Sequence, residues 1–293
     1  MNGQETVGIA GVGKMGEALV KGLVQRAALP PSRILITDAL PARAEEVASM
    51  YHVVQVPSPA ALAERSDILI LAVKPKDMRE LVRSLAGHVR KDAAVVTLAA
   101  GIGTDTVEEG LRGTGHVVRM MPNLACGVGE GATAFALGRT ATRDDADRVA
   151  ELMGSLGRVL EVEERHLDAV TGLSGSGPGF MAALAQAMID GGRRSGLPED
   201  VARKLALQTM KGTAELLLSD GGDPERLFQL VATPGGTTVA GWRLMEERGV
   251  PQAVSDGIVA ASMRARELAR ENARSTPTAK EAAPGDALSV STE

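Results

Sequence analysis

Near its start the chain reads Val7-Gly8-Ile9-Ala10-Gly11-Val12-Gly13-Lys14-Met15-Gly16. A strand-like run leads into the spacing G-x-G-x-x-G, and a helix-like segment follows. In this pattern the first glycine forms a tight turn, the second lets a pyrophosphate approach the backbone, and the third lets helix and strand pack closely. The diphosphate rests on free amides at the helix N-terminus. We therefore predict a dinucleotide-binding turn built from Gly11, Val12, Gly13, Lys14, Met15 and Gly16.

Strand-like and helix-like segments alternate from this turn to about residue 162. Runs typical of buried parallel strands lie at 7–10, 33–37, 67–73, 93–98 and 116–121. Helical spacing of apolar residues is found at 15–27, 42–50 and 77–86, and a helix at 143–156 and a strand at 158–162 complete the series. Alternation of this kind implies right-handed crossovers. We predict an α/β domain with a doubly wound sheet of the Rossmann type over residues 1–162.

Asp38 ends the second predicted strand, 38 − 16 = 22 residues after the last glycine of the turn. An acidic residue at about this distance is expected to bind the ribose hydroxyls of the cofactor. A carboxylate there favours NADH, because it repels the 2′-phosphate of NADPH, whereas nearby Arg43 offers a cation for that phosphate. A solvated turn aspartate is the alternative, so the preference between NADH and NADPH stays open.

Two further segments follow predicted strands at the edge where ligands of open α/β sheets bind. The first is Ala72-Val73-Lys74-Pro75, in which Lys74 faces either the cofactor or solvent. The second contains Ala100, whose small side chain leaves room for the nicotinamide and its ribose. We predict cofactor contacts in both.

Beyond residue 163 the sequence changes to Ala-, Leu- and Met-rich segments without strand alternation. Helices are predicted at 179–195, 199–219, 225–232, 237–248 and 254–272, which makes residues 163–273 an all-helical domain. The segment 179–189 is apolar on nearly every face and too short to span a bilayer. It therefore predicts at least a dimer formed through the helical domain. Residues 274–293 are predicted to be a disordered tail.

Composition excludes several classes of protein. The 293 residues carry a net charge of −5 and only 2% aromatic residues, which argues against nucleic-acid and membrane surfaces. A single cysteine and four scattered histidines give no disulfide framework and no metal site. The N-terminus does not resemble a signal peptide, so we expect a cytoplasmic protein.

The scarcity of aromatic residues also narrows the chemistry. The one tyrosine, Tyr51, is followed four residues later by Gln55, which excludes the Tyr-x-x-x-Lys pattern of short-chain dehydrogenases. Two loops rich in glycine and hydroxyl groups remain, each before a predicted helix. The first contains Ser174 and Ser176, and the second contains Thr233, Gly235, Gly236, Thr237 and Thr238. Hydroxyls and free amides at helix N-termini suit a small carboxylate. The alternative role is helix capping by Ser and Thr, which we expect whether or not a ligand binds.

At these positions the sequence resembles the pyrroline-5-carboxylate reductase family, up to about residue 272. The most specific match runs from Pro224-Glu225-Arg226-Leu227 through Thr233-Pro234-Gly235-Gly236-Thr237-Thr238 to Leu244-Met245-Glu246. Gly172-Leu173-Ser174-Gly175-Ser176-Gly177-Pro178, Arg119-Met120-Met121-Pro122-Asn123 and Ala72-Val73-Lys74-Pro75 follow the family order. The resemblance implies a Rossmann domain, a helical dimerisation domain and reduction of a cyclic imine to L-proline by NADPH or NADH.

The resemblance also implies roles for single residues. Thr233, Gly235, Gly236, Thr237 and Thr238 would hold the substrate carboxylate, with Thr238 near the ring nitrogen as a catalytic residue. Ser174 and Ser176 would lie on the nicotinamide side, with Ser174 binding the substrate and Ser176 catalytic, and Asn123 would contact the cofactor. Whether Thr238 transfers a proton stays open.

The sequence departs from the family pattern at Asp38, where members that favour NADP often have a small hydroxyl-bearing or a basic residue, and at two further places. Leu124-Ala125 stands where the family has Thr-Pro, and Phe180 stands where it often has Tyr. Two alternatives therefore remain: a reductase of a related six-membered cyclic imino acid, and a non-catalytic nucleotide-binding regulator.

Overall fold

The computed structural model describes residues 5–219 and 221–274. An eight-stranded sheet occupies the first half, in the order β3-β2-β1-β4-β5-β6-β7-β8. Its strands are β1 Val7–Ala10, β2 Ile34–Thr37, β3 Val54–Gln55, β4 Ile68–Leu71, β5 Ala94–Thr97, β6 His116–Met121, β7 Gly131–Leu137 and β8 Gly157–Glu161. The strand order reverses at β1, which has β2 on one side and β4 on the other. Doubly wound sheets bind ligands at such a switch point.

The first six strands are parallel, with Val7 paired to Ile34 on one side and to Ile68 on the other. Five of them were predicted, and the short β3 was not. At the far edge the sheet contains one antiparallel pair, formed by a strand that the sequence did not predict. There β7 pairs antiparallel with β6, Met120 opposite Phe135, and β8 then runs parallel to β7. The chain reaches β7 through a short 3-10 turn, Leu124–Val128. This connection is too short to hold the crossover helix that a parallel pair of strands needs.

Six helices of the first half cover the two faces of the sheet: α1 Lys14–Gln25, α2 Pro41–Tyr51, α3 Pro59–Arg65, α4 Pro75–Leu85, α5 Thr104–Gly110 and α6 Arg143–Gly154. Alternate strand residues enter different apolar clusters, so that Ile9 and Ile36 face one layer while Ala10 and Leu35 face the other. This central sheet is a dry aliphatic layer that holds the carboxyl ends of its strands in register.

The second half is helical, as predicted. After α7 Leu167–Val170 and a π turn, Thr171–Gly175, come α8 Gly177–Arg194, α9 Glu199–Ser219, α10 Pro224–Val231, α11 Thr237–Glu247 and α12 Val250–Arg274. The predicted tail, 274–293, lies outside the described residues except for Arg274, which ends α12. Within the described ranges, no helix is long and apolar enough to cross a membrane.

The last helix, α12, joins the two halves. A Cβ atom added to Gly101, after β5, would lie 2.7 Å from the backbone nitrogen of Ala269. On α4, Arg79 donates to the carbonyl of Asn272 over 3.2 Å. At the other end, a Cβ atom at Gly172 in the π turn would lie 2.1 Å from Ser262 Oγ. These close approaches place α7 and the π turn beside the carboxyl edge of the sheet.

Candidate active site

The glycine turn after β1 adopts the conformation that its sequence predicts. Gly11 has φ = +93°, a region that favours glycine, and its amide donates to the Thr37 carbonyl over 2.8 Å. A Cβ atom at Gly11 would lie 2.8 Å from the Ala72 carbonyl oxygen. A Cβ atom at Gly16 would lie 2.0 Å from the Gly11 oxygen, which explains the close packing of α1 on the turn.

Gly13 differs from both of these glycines. A Cβ atom there would meet nothing within 4 Å, so the backbone at this point faces open space. Gly13 is the N-cap residue of α1, and no side chain caps the helix there. Its carbonyl oxygen accepts the amide of Glu17, four residues further along, over 2.8 Å. The first amides of the helix are therefore free. An exposed glycine and a free helix N-terminus together fit the diphosphate of a dinucleotide.

Asp38 lies directly after β2 and shapes this turn. Its Oδ2 accepts the Val12 amide over 2.8 Å, and its Oδ1 accepts the Leu40 amide over 2.9 Å. A carboxylate offers about four acceptor positions. Two acceptor positions thus remain for a ligand, and Asp38 lines a cavity of about 350 Å³ between the strand ends and α4.

Arg43, the cation expected near Asp38, is already paired with carboxylates. Its Nε donates to the Val12 carbonyl over 3.1 Å, and its Nη1 contacts Glu46 over 2.7 Å. Its Nη2 makes a short contact with Glu17 of α1. The hydrogen bond to Glu46, together with Glu17, raises the pKa of Arg43 against the effect of burial.

Tyr51, the one tyrosine, belongs to the same cluster. Its hydroxyl donates to Glu17 Oε1 over 3.2 Å. Burial raises the pKa of the Tyr51 phenol, and the Glu17 charge adds to this effect. The tyrosine therefore serves the packing of α1 against α2.

The segment from Ala72 to Pro75 adjoins the glycine turn. Ala72 and Val73 are within contact distance of a Cβ placed at Gly11, and Pro75 begins α4. Lys74 is the N-cap residue of α4, and its side chain is exposed. Ala100 is half-buried beside the apolar residues Met121 and Leu167 that link the two halves. All of these predicted cofactor residues lie at one edge of the sheet.

Asn123 connects this edge to the helical half. It is buried, and its Oδ1 accepts the amides of Ala125 over 3.2 Å and Ala132 over 3.3 Å. Its Nδ2 donates to the carbonyl of Ser174 over 3.1 Å. The first hydroxyl-bearing loop is thus held against the nucleotide domain by a side chain that we predicted to touch the cofactor.

The capping role expected for the first loop is not observed. Ser174 lies in the π turn, where its hydroxyl donates to the Val170 carbonyl over 3.2 Å. Ser176 is the N-cap of α8 but has helical backbone angles and makes no side-chain capping bond. The π turn explains this difference, because it continues the helix through both serines and leaves no extended cap residue.

The second loop makes no hydrogen bond to the first within the described part of one chain. Thr233, Thr237 and Thr238 are exposed, and their hydroxyls have no hydrogen-bond partner in the described part of the chain. Gly236 caps α11 without a side-chain bond, and its carbonyl accepts the Ala240 amide over 3.2 Å. The three preceding helix amides are free, as at α1, while Gly235 has φ = +72° and open space around it.

A buried ion pair at the domain boundary was not predicted. Arg119 of β6 is 8% exposed and contacts Asp168 over 3.1 Å and Glu164 over 3.4 Å. Glu164 accepts the amide and the hydroxyl of Thr104 over 2.9 and 2.8 Å. The sequence feature that could have revealed this ion pair is a single arginine within an apolar strand, since a charge buried there requires a partner.

Known proteins match this arrangement along the chain. A family model for "Pyrroline-5-carboxylate reductase dimerisation" matches residues 164–268, and one for "NADP oxidoreductase coenzyme F420-dependent" matches residues 6–101. A pyrroline-5-carboxylate reductase of Glycine max is 36% identical over 263 residues, 90% of this chain and 96% of that protein. Another, of Methanosarcina acetivorans, is 35% identical over 267 residues, 91% and 99% of the two chains.

A solved structure also has the same fold as this chain. The pyrroline-5-carboxylate reductase of Coxiella burnetii superposes with a TM-score of 0.80 at 28% identity, over 90% of this chain and 98% of that one. The resemblance proposed from the sequence and the predicted fold class are therefore confirmed. From the glycine turn to the last described helix, this chain belongs to the pyrroline-5-carboxylate reductase family.

Proposed function

We propose that this chain reduces 1-pyrroline-5-carboxylate to L-proline with NADPH or NADH. Membership of the family supports this reaction, at 36% identity to a relative that bears the name. One structural observation carries the proposal: Asn123 Nδ2 donates to the Ser174 carbonyl over 3.1 Å. This bond holds the loop that carries Ser174 and Ser176 against the sheet edge where dinucleotides bind.

The residues of the sheet edge fit the cofactor. The α1 amides after Gly13 would hold its diphosphate, Ala72, Val73 and Lys74 would contact the cofactor beside the glycine turn, and Ala100 would border its nicotinamide half. A bound reduced nicotinamide supplies a hydride. The chain itself provides the position, the exclusion of water and the charges around the substrate.

The α11 N-terminus fits the substrate carboxylate. Its first three amides are free, and Thr237 and Thr238 add hydroxyl donors at the positive end of the helix dipole. Thr233, Gly235 and Gly236 form the turn that presents these groups. We propose that Thr238 hydrogen-bonds the ring nitrogen and that Ser174 and Ser176 line the nicotinamide side.

The chemistry needs no strong acid on the protein. Hydride adds to the imine carbon while the nitrogen keeps or takes a proton, so that C=N becomes CH–NH. A protonated iminium is already electrophilic, and the protein therefore acts mainly by positioning and desolvation. This agrees with the location of Tyr51, whose hydroxyl is bonded to Glu17 rather than turned towards the hydroxyl loops.

We further propose that a second copy completes the site. The two hydroxyl-bearing loops share no hydrogen bond within the described residues of one chain. Neither α10 nor α11 contains a buried residue in the single chain. A homodimer through the helical domain would cover these helices and bring the loops together. A cytoplasmic location stays a prediction.

The first experiment compares substrates and cofactors. We expect the purified protein to oxidise NADH or NADPH, followed at 340 nm, with the five-membered imino acid, and mass spectrometry to identify proline. Faster turnover of a six-membered cyclic imino acid would replace the proposed substrate. Failure of both rings to cause oxidation would leave the regulator.

A single variant tests the substrate loop. We expect Thr238→Ala to lower kcat by about tenfold or more, because it removes a hydroxyl at the reacting end of the substrate. Thr114→Ala makes the same chemical change in the nucleotide domain and is expected to keep normal kinetics. Near-normal kcat in Thr238→Ala, with an unchanged circular dichroism spectrum, would reject the role.

A further inference from the structure

A cavity of about 350 Å³ opens at the carboxyl ends of β1 and β2, beside the glycine turn. Gly11 and Asp38 form its floor, and Pro57 and Pro59 line it from the α3 side. In a doubly wound sheet, the carboxylate after the second strand meets the ribose next to the adenine. The cavity is therefore the place for the adenosine half of the cofactor.

Its charges are all of one sign. Asp38 lies in the floor, and Asp77 and Glu80 of α4 line the wall. The described lining contains no lysine or arginine, and Lys74, which precedes α4, is not part of it. NADPH differs from NADH at this ribose only by a 2′-phosphate, which carries almost two negative charges. Three carboxylates around the same space oppose that group.

Arg43, the arginine expected to bind a 2′-phosphate, is occupied by other partners. Arg43 lies beside the turn, because its Nε donates to the Val12 carbonyl over 3.1 Å. Its two terminal nitrogens contact Glu46 and Glu17, and the side chain is 28% exposed. Turning Arg43 towards a phosphate would break both ion pairs and leave Glu17 with Tyr51 alone.

We propose that this chain selects NADH over NADPH at this cavity, with Asp38 accepting the free ribose hydroxyls and Glu17 and Glu46 withholding Arg43 from a 2′-phosphate. The family model that matches residues 6–101 has NADP in its name, so the proposed preference for NADH comes from the particular residues of this chain and not from the family. The inference rests on the proposed function, since it requires that a dinucleotide binds here. Asp38 is suited to the role because two amides orient its carboxylate and leave acceptor positions free.

Direct binding tests the inference without turnover. We expect isothermal titration of the full-length protein to give a Kd for NADH about tenfold or more below that for NADPH. Raising the salt from about 0.05 to 0.5 M screens repulsion between exposed charges. The ratio of the NADPH to the NADH Kd should therefore fall with salt. Equal or tighter binding of NADPH, or a ratio that rises with salt, would overturn the proposal.

A charge-matched pair of variants tests the role of Arg43. Glu46→Gln removes one of its partners, whereas Glu45→Gln removes the same charge from a neighbouring exposed position on α2. We expect Glu46→Gln to tighten NADPH about threefold or more with little change for NADH, and Glu45→Gln to change neither. An equal effect of the two variants would overturn the role of Arg43. Binding of neither dinucleotide to the unmodified protein would instead reject the proposed function.

Discussion

Gly13 and Gly16 stand three residues apart in one turn, and a methyl group would act differently at each. At Gly13 the added carbon meets nothing within 4 Å, and the backbone angle φ = −67° suits any residue. At Gly16 the added carbon lies 2.0 Å from a backbone oxygen of the same turn. The first glycine is thus kept open for a ligand, and the second is required by packing.

The two glycines therefore predict different losses. We expect Gly13→Ala to change the free energy of unfolding by less than about 1 kcal/mol, since backbone strain is absent, but to weaken dinucleotide binding about tenfold or more. Gly16→Ala should destabilise the fold by about 2 kcal/mol or more, because the overlap outweighs the helix propensity gained. Urea unfolding and titration calorimetry measure both quantities. Loss of stability in Gly13→Ala would contradict the assignment of open space.

Single residues also mark where sequence reasoning stops. The roles of Gly11, Gly13 and Gly16 were predictable because G-x-G-x-x-G describes local backbone geometry. The pairing of Arg43 was not, since Glu17 comes from another helix 26 residues away. Ser176 likewise looked like a capping residue, and only the π turn before it shows that its hydroxyl stays free.

At the scale of elements, the start of α6 is built around one buried carboxylate. Thr142 and Asp145 form a reciprocal capping box, with the Thr142 amide 2.8 Å from Asp145 Oδ2. Asp145 is 1% exposed, and His116 and Arg148 lie within 2.7 and 3.4 Å of its oxygens. Burial alone would raise the pKa of Asp145, but hydrogen bonds from Thr142 and His116 outweigh it and lower the pKa.

This carboxylate makes stability depend on acid. Because its pKa is lower in the folded chain, Asp145 stabilises the fold above about pH 4 and loses that contribution as the pH falls further. We expect Asp145→Asn to cost about 2 kcal/mol at pH 7 and to flatten the loss of stability between pH 4 and 2. Asp147→Asn, on the exposed face of the same helix, should keep the normal acid profile. Identical acid profiles of Asp145→Asn and the unmodified protein would refute this role.

Elements with a strong period were predictable, and short ones were not. The sequence predicted strands β1, β2, β4, β5, β6 and β8, helices α1, α2, α4 and α6 of the first half, and the five helices α8 to α12 of the second half. It missed β3, α3, α5, β7 and α7. The strand β7 consists of Gly-Ala-Thr-Ala-Phe-Ala-Leu, whose small residues have low strand propensity, and its antiparallel pairing to β6 supplies what propensity does not.

At the scale of the whole molecule, the two halves differ in how much of their apolar surface a single chain buries. The sheet domain encloses two continuous apolar layers. Across α8 to α11, only Ala185, Ile189, Ala202 and Ala206 are buried. Helices of 8 to 21 residues depend on tertiary packing of an apolar face rather than on propensity. The helical half therefore requires a second surface.

The apolar face of α9 gives the test of that surface. Leu205 and Leu216, 55% and 56% exposed, are eleven residues apart and so share one face of the helix. We expect the unmodified protein to be at least dimeric at micromolar concentration and Leu205→Lys to shift it towards monomer, since a desolvated lysine opposes association. Analytical ultracentrifugation measures the shift, and turnover should fall with it because the hydroxyl loops separate.

A leucine outside the helical half provides the control for this test. Leu160 of β8 is 66% exposed, more than Leu205, yet it belongs to the nucleotide domain. Leu160→Lys makes the same substitution and is expected to leave both the sedimentation coefficient and turnover unchanged. Dissociation by Leu160→Lys with an intact Leu205→Lys oligomer would move the interface to the sheet edge. The helical half would then need another explanation for its exposed leucines, and the proposed completion of the site by a second copy would fail with it.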